Sequence, residues 1–402
     1  MQAEIKQYGL MCLVRDWLVW LLPVRRIPKG LIRVLYGFSP DYIFLTHPRS
    51  IDDFYMVAPF VRRLSFVVPD KILRAILKIF PVYVVSRVCW EGKINGLIIT
   101  TPFLPQELLE NRDKTVKIAG RIIRFIHKIS AKRIYVGLAA WWPIATNNGL
   151  AFNRFSSNNL DIEVTSGHTV TLVSLYLTVV KIAEAINIPL EKLRILILGV
   201  GRVGEGAANI FNGRVCEIGL ADKNVARLRN IKRNLITQGK GVTIETHDIR
   251  ETTQEEVLEK VLSAYHVAVC TTSNVGFLIK DETKLKNCII VDDSRPEAFP
   301  RVFSRESCCA VIEGGLMKIP GIKMDKDFGF GNTENVFGCL AEAFILALDA
   351  NKKLHPMIGE INVDDFEKVL SFCKETGIEA GDFLSGHRKL SGSELRGMQG
   401  GQ

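Results

Sequence analysis

The sequence has none of the patterns that bind metal or staple a secreted domain. Its nine cysteines are odd in number and scattered, with no C-x-x-C pair and no His/Cys cluster. That argues against a disulfide framework and a structural zinc site, and it favours a reduced, cytoplasmic setting. Also missing is any uninterrupted run of about 18–20 apolar residues, the length that spans a bilayer. The greasiest early stretch, GLMCLVRDWLVWLLPVRR, is broken by Arg15 and Asp16 and stopped by Pro23. It has no small-residue cleavage site, so it does not read as a signal peptide. No nucleic-acid motif accompanies the basic residues, so nucleic acid is not expected as a partner. No internal repeat is found.

What is present is the composition of a folded globular chain. There are 402 residues, 47% hydrophobic and 24% charged, with a mean hydropathy of +0.15. Such a length predicts about two or three domains. The formal charge of +9 is uneven: residues 1–133 hold 22 Lys and Arg against 10 Asp and Glu, a net of +12. The first third therefore suits an acidic partner, such as phospholipid headgroups or an acidic carrier protein, or is simply a solvated basic face. Within residues 10–33, Trp17, Trp20 and Leu21, flanked by Arg25 and Arg26, suit a helix lying peripherally in a headgroup layer. They equally suit a helix docked on the protein's own core.

Periodicity divides the chain. Residues 1–40 read as an amphipathic basic extension, closed by the breaker-rich RRIPKG. Residues 41–190 read as a substrate domain of strands and amphipathic helices, including a long apolar helix from about Thr169 to Ile186. From Lys192 strict strand–helix alternation sets in: LRILILG, CEIGLAD, VTIETHD, HVAVCTT, CIIVDDS, CAVIEGG. Buried apolar strands alternating with helices predict a doubly wound parallel sheet of Rossmann type over residues 191–335. The fold class expected is thus α/β, with that sheet, an N-terminal α/β substrate domain and an N-terminal amphipathic extension. Two C-terminal helices occupy 336–384, and the Gly/Ser-rich 385–402 is expected to be disordered.

In ILILGVGRVGEGAANIF, Gly199, Gly201 and Gly204 have G-x-G-x-x-G spacing after a strand and at the opening of a helix. In that context Gly199 permits the tight turn and Gly201 lets backbone approach a pyrophosphate. Gly204 allows close helix–strand packing, while Arg202 and Val203 open the helix whose N–H groups would hold the anion. Asp222, at the end of the second strand, can accept from both ribose hydroxyls, which favours NADH; Lys223 and Arg227 lie close enough to bind a 2′-phosphate instead. Ligands of such sheets bind beyond the carboxyl ends of the strands. Thr271, Thr272 and Ser273 are therefore expected on the nicotinamide side, and Gly314 and Gly315 where backbone nears a ligand. Each loop also has a purely structural explanation.

The segment NTENVFGCLAEAFILALDA carries Cys339 directly after a glycine. This is either a small buried hydrophobe or a nucleophile that could attack a thioester and leave an acyl-enzyme for hydride reduction. Asn332 or Thr333 caps its helix, or Gly338 breaks the segment and brings the thiol nearer the positive end. Glu342, three residues on, shares its face and would disfavour a thiolate unless protonated or paired.

Four stretches resemble a known family: YIFLTHPRSIDDF with His47, the middle segment with Thr165-Ser166-Gly167-His168-Thr169, VIEGGLM, and NVFGCLAEAFILAL. Together, from about Tyr42 to Phe383, they are similar to the long-chain fatty acyl–acyl carrier protein reductases of cyanobacteria, as a divergent relative. The resemblance implies an acyl-ACP reductase that turns an acyl thioester, on acyl carrier protein or CoA, into a fatty aldehyde with NADPH. Cys339 falls on that family's acylated cysteine. His168 would donate to the oxyanion or leaving thiol, or is a capping or core histidine. Ser166 and Gly167, with Gly314 and Gly315, would face substrate. The first 40 residues have no counterpart, the family's glycine loop is one residue longer, and Asp222-Lys223 stand where it has an arginine. The alternative expectation is a non-covalent NAD(P)-dependent dehydrogenase of a small polar substrate, an amino acid or shikimate-like hydroxy acid. That chemistry calls for a Lys–Asp pair in the substrate domain, which the sequence does not single out.

Overall fold

The structure, a computed structural model, describes residues 9–48, 50–130, 133–152, 155, 161–250, 255–273, 277–326 and 328–398. The chain forms two compact units. Unit 1 comprises residues 1–167, 320–334 and 339–360; unit 2 comprises 168–319, 335–338 and 361–402. The boundary expected near residue 190 thus falls before the long helix, and two later segments belong to unit 1.

Unit 1 is built on a six-stranded sheet. Its strands are β1 (Tyr42–Thr46), β2 (Tyr83–Trp90), β3 (Ile94–Thr100), β4 (Ile134–Leu138), β5 (Ile162–Thr165) and the late β14 (Ile322–Met324), in the order β14-β2-β3-β1-β4-β5. β3, β1, β4 and β5 run parallel; β2 and β14 are antiparallel to their neighbours. The Arg112–Ile129 helix is capped by Asn111, whose Oδ1 accepts the Lys114 N–H at 2.9 Å. Ile118, Ile122, Phe125, Ile126 and Ile129 are buried along it, at helical spacing, against the sheet.

Residues 9–40 are not an appended extension. Val19, Ile27, Ile32 and Tyr36 lie in the same core as Ile43 and Leu97. The charged pair that interrupts the greasy run explains how. Asp16 is buried, and its carboxylate accepts the Val84 N–H of β2 at 2.8 Å and the Arg15 Nε–H at 2.9 Å. A buried carboxylate so bonded anchors the Leu10–Leu21 helix to β2. Trp17 and Trp20, which suited either a headgroup layer or the protein's own core, pack on aromatic rings of unit 1: Trp17 on Phe80 at 5.1 Å between ring centroids, and Trp20 stacked on Phe125 at 5.9 Å. No helix among the described residues is long and apolar enough to cross a membrane.

Unit 2 holds a seven-stranded sheet of β6 (Arg194–Leu198), β7 (Glu217–Asp222), β8 (Thr243–Asp248), β9 (Val267–Cys270), β10 (Cys288–Asp292), β11 (Phe303–Ser304) and β12 (Cys309–Glu313). The order is β11-β12-β10-β9-β6-β7-β8, all parallel except the short β11. The first strand of the series, β6, sits in the middle, and the order reverses between β6 and β9. This is the doubly wound Rossmann-type arrangement, with its switch point at the end of β6. Cys270, Cys288 and Cys309 are buried within it as small hydrophobes, and none of the nine cysteines is in a disulfide.

The segment expected to be disordered from Ser385 is ordered through Met398. It forms a hairpin of Leu384–Ser385 with Arg388–Lys389, and then the Gly392–Arg396 helix. Ser391 and Glu394 close a reciprocal capping box at that helix start, where Leu395 is fully buried. Residues 399–402 lie outside the described residues.

Candidate dinucleotide site

The glycine turn lies at the switch point of unit 2. Gly199 has φ +86°, and its N–H donates to Ala221 O at 2.8 Å. A Cβ there would stand 2.9 Å from Thr272 Cα, so both conformation and space require glycine. Thr271 Oγ1 donates to Gly199 O at 2.7 Å, and a Cβ on Gly204 would meet that same hydroxyl at 2.8 Å. Thr271 and Thr272, expected beside the nicotinamide, therefore support the turn itself. Ser273 is exposed, and the remainder of its loop, 274–276, lies outside the described residues.

Gly201 differs from the other two. It is the N-cap of the Arg202–Phe211 helix, with φ −65°, and a Cβ there would meet nothing within 4 Å. Neither backbone strain nor packing demands glycine at this position. The open space over the first-turn N–H groups matches what a pyrophosphate needs. Arg202 is exposed at the helix start and Val203 half-buried behind it.

Asp222 ends β7 half-buried. Its Oδ2 accepts the Val200 N–H and its Oδ1 the Asn224 N–H, each at 2.8 Å. Each oxygen keeps a further lone pair for a ribose hydroxyl. Lys223 and Arg227 are exposed. His168, the first residue of the His168–Ala185 helix, is held neutral: burial, then the charge of Arg202, lowers its pKa to about 4.

At the carboxyl edge of β10 and β12, Gly314 donates its N–H to Asp292 O at 2.9 Å, and a Cβ on it would stand 2.7 Å from the Asp293 N. Gly315 has φ +70° and accepts the Gly338 N–H at 2.7 Å. Close packing of two loops therefore accounts for both glycines. Next to them is a group the sequence did not single out. Asp293 is half-buried, and burial raises its carboxyl pKa to about 7, against the charge of Arg295. Its neighbour Asp292 is fully buried and committed, accepting from Arg301 Nη1 at 2.8 Å and from the Ala298 N–H at 3.0 Å.

In unit 1 the remaining expected residues form a packed turn. Ser166 and Gly167 are buried; the Ser166 N–H donates to Met357 O at 2.8 Å and the Gly167 N–H to Glu342 Oε1 at 2.8 Å. The Thr165 hydroxyl donates to the same Glu342 oxygen. Glu342 is thus fully buried and paired, the condition that its sequence position beside a thiol demanded. Gly167 has φ +80°, and a Cβ on it would lie 2.8 Å from Cys339 Cα and 2.9 Å from Leu138 O. Cys339 is half-buried in the first turn of the Gly338–Leu348 helix. Asn332 and Thr333 do not cap that helix, because the strand Asn335–Phe337 intervenes. Instead, Asn332 Oδ1 accepts the Glu334 N–H and the Thr333 hydroxyl donates to Ile322 O.

Two further groups of unit 1, distant in sequence, influence one another electrostatically. The Lys326 ammonium lies half-buried; burial lowers its pKa and the charge of Asp53 opposes that shift. No local pattern could reveal such a pair. His47, by contrast, is locked by structure: Nε2 accepts the Trp141 N–H at 3.1 Å, and Nδ1 lies 3.0 Å from Pro48 O.

No family model and no curated protein matches the chain. Solved structures do. L-tryptophan dehydrogenase from Nostoc punctiforme is similar over 84% of this chain and 80% of its own, at 11% identity and a TM-score of 0.41. Shikimate 5-dehydrogenase from Listeria monocytogenes, in complex with shikimate and NAD, covers 82% and 96%, at 11% identity and 0.34. The ligand-free 5-ketofructose reductase of Gluconobacter sp. strain CHM43 covers 83% and 99%, at 12% identity and 0.35. At these identities the likeness concerns the fold. The acyl-thioester reductase expectation is corrected here: these proteins are named for tryptophan, shikimate and 5-ketofructose, not for acyl thioesters. That expectation is withdrawn, and the role of Cys339 as acyl carrier goes with it.

Proposed function

We propose that the chain is a nicotinamide-dinucleotide-dependent oxidoreductase of a small polar substrate, acting at a carbon that bears a hydroxyl, amino or carbonyl group. The observation that carries the cofactor part of this reading is the open position over Gly201, at the helix N-terminus and at the switch point of a doubly wound sheet. A bound nicotinamide supplies the hydride acceptor or donor. Asp222, with lone pairs left on both oxygens, supports NAD(H) over NADP(H).

Oxidising an alcohol or amine carbon removes a hydride and a proton, and the proton needs an acceptor. One side chain in the same unit as the glycine turn has its pKa moved to about 7: Asp293, at the carboxyl edge of β10. A carboxyl group poised near neutrality suits that task.

The test is NADH and NADPH binding by fluorescence titration, followed by turnover of hydroxy-acid, amino-acid and polyol panels with NAD. The native chain is expected to bind NADH more tightly. Gly201→Val should abolish binding with no change in melting temperature, and Asp293→Asn should lower kcat by about a hundredfold with the KM for NAD unchanged. A chain that binds neither cofactor, or a Gly201→Val variant that binds as well as the native protein, overturns the reading.

A further inference from the structure

We propose that the outer faces of the Leu10–Leu21 and Asp70–Ile79 helices, with the turn at Phe66-Val67, dock on an anionic lipid bilayer. The Leu10–Leu21 helix has apolar residues on two sides. Leu13 and Val19 point into the core, whereas Leu10, Met11, Val14, Leu18 and Leu21 are exposed, Met11 by 80%. The Asp70–Ile79 helix repeats the pattern. Leu73 and Leu77 are buried; Ile72, Ile76 and Ile79, spaced four and three apart, are exposed. Phe66 and Val67, between the Pro59–Ser65 and Asp70–Ile79 helices, are each 84% exposed.

The two stripes adjoin. Phe80 directly follows Ile79 and packs on Trp17 and Trp20 of the other helix, at 5.1 and 6.4 Å between centroids. Arg121 lies over the Trp20 ring at 5.3 Å and donates to Ile79 O. Apolar surface of this extent, left outside a folded core, marks an interaction site rather than scattered exposure.

Charge selects the occupant. Arg25, Arg26, Lys29 and Arg33 are exposed around the first helix, and Arg62, Arg63 and Lys71 around the second. The only carboxylates of segments 9–36 and 58–80 are engaged: Asp16 is buried against Arg15, and Asp70 accepts the Tyr55 hydroxyl at 2.6 Å. A second copy of the chain would set basic rim against basic rim. Anionic headgroups would neutralise that rim while acyl chains cover the apolar stripes. Because no described helix crosses a membrane, the attachment is to one leaflet.

Vesicle sedimentation of the full chain tests this, using phosphatidylcholine alone and with about a third phosphatidylglycerol. At low salt the partition coefficient on anionic vesicles should exceed that on neutral ones by about tenfold or more, and should fall as salt rises. The double variant Leu18→Glu/Ile76→Glu should lose about tenfold in partition while keeping its melting temperature and NADH affinity. Arg62→Gln/Arg63→Gln should reduce only the anionic preference. A native chain that stays in the supernatant, or vesicle binding untouched by either double variant, overturns the proposal. So does a concentration-dependent dimer, seen by sedimentation velocity, that Leu18→Glu/Ile76→Glu dissolves.

Discussion

Asp222 Oδ2 holds the backbone N–H of Val200 at 2.8 Å, so the end of the second strand fixes the middle of the glycine turn. A charge-assisted bond of this kind stabilises by roughly 1.5–3 kcal/mol. Asp222→Ala is therefore expected to loosen the turn as well as remove the ribose acceptor. NADH affinity should fall at least about tenfold, and a fluorescence titration checks it. An unchanged dissociation constant would show that neither contact matters for binding.

Glycine has different causes at different places in this chain. Gly167→Ala would force an unfavourable φ and drive a methyl into Cys339 and the Leu138 carbonyl. A loss of about 3 kcal/mol or more is expected in urea unfolding. Gly204→Ala, crowded by Gly199 O and Thr271, should also destabilise. Gly201→Ala should leave stability within about 0.5 kcal/mol of native. Three equal losses would refute the distinction.

His47 should make the fold acid-sensitive. Burial lowers its pKa to about 4, and the protonated ring would turn a second N–H toward that of Trp141. The unfolded state binds its proton near pH 6.5. Stability is accordingly lost as pH falls from about 6.5 to about 4, by about 3 kcal/mol at most for this residue. Unfolding free energies measured across that range should show a shallower slope in His47→Gln than in the native chain.

Asp293 acts in the opposite sense. Its folded pKa, raised by burial to about 7, lies above the unfolded value near 4. The native state thus retains a proton that the unfolded chain releases, and stability declines as pH rises from about 4 to about 7. Asp293→Asn should raise stability by about 2 kcal/mol at pH 8, a figure reduced for partial solvent access, and change little at pH 4. Thermal melts at the two pH values decide it.

What could be read without coordinates was whatever depends on near neighbours in sequence. The strands from LRILILG to CAVIEGG are short apolar runs, and Gly199, Gly201, Gly204 and Asp222 have spacings set by one strand–turn–helix–strand unit. Backbone geometry makes such patterns nearly self-sufficient. Whether Cys339 is packed or open was not legible, because a cysteine's burial and partners are not local properties. The fate of residues 9–40, the membership of 320–334 and 339–360 in unit 1, and the order of the tail all turned on burial against partners far along the chain. So did the lowered pKa of Lys326 and the raised pKa of Asp293. Composition and periodicity determine which elements form and which way their apolar sides face. Only the packed chain decides which charges lose their water, because desolvation depends on everything that surrounds a group and not on its neighbours in sequence.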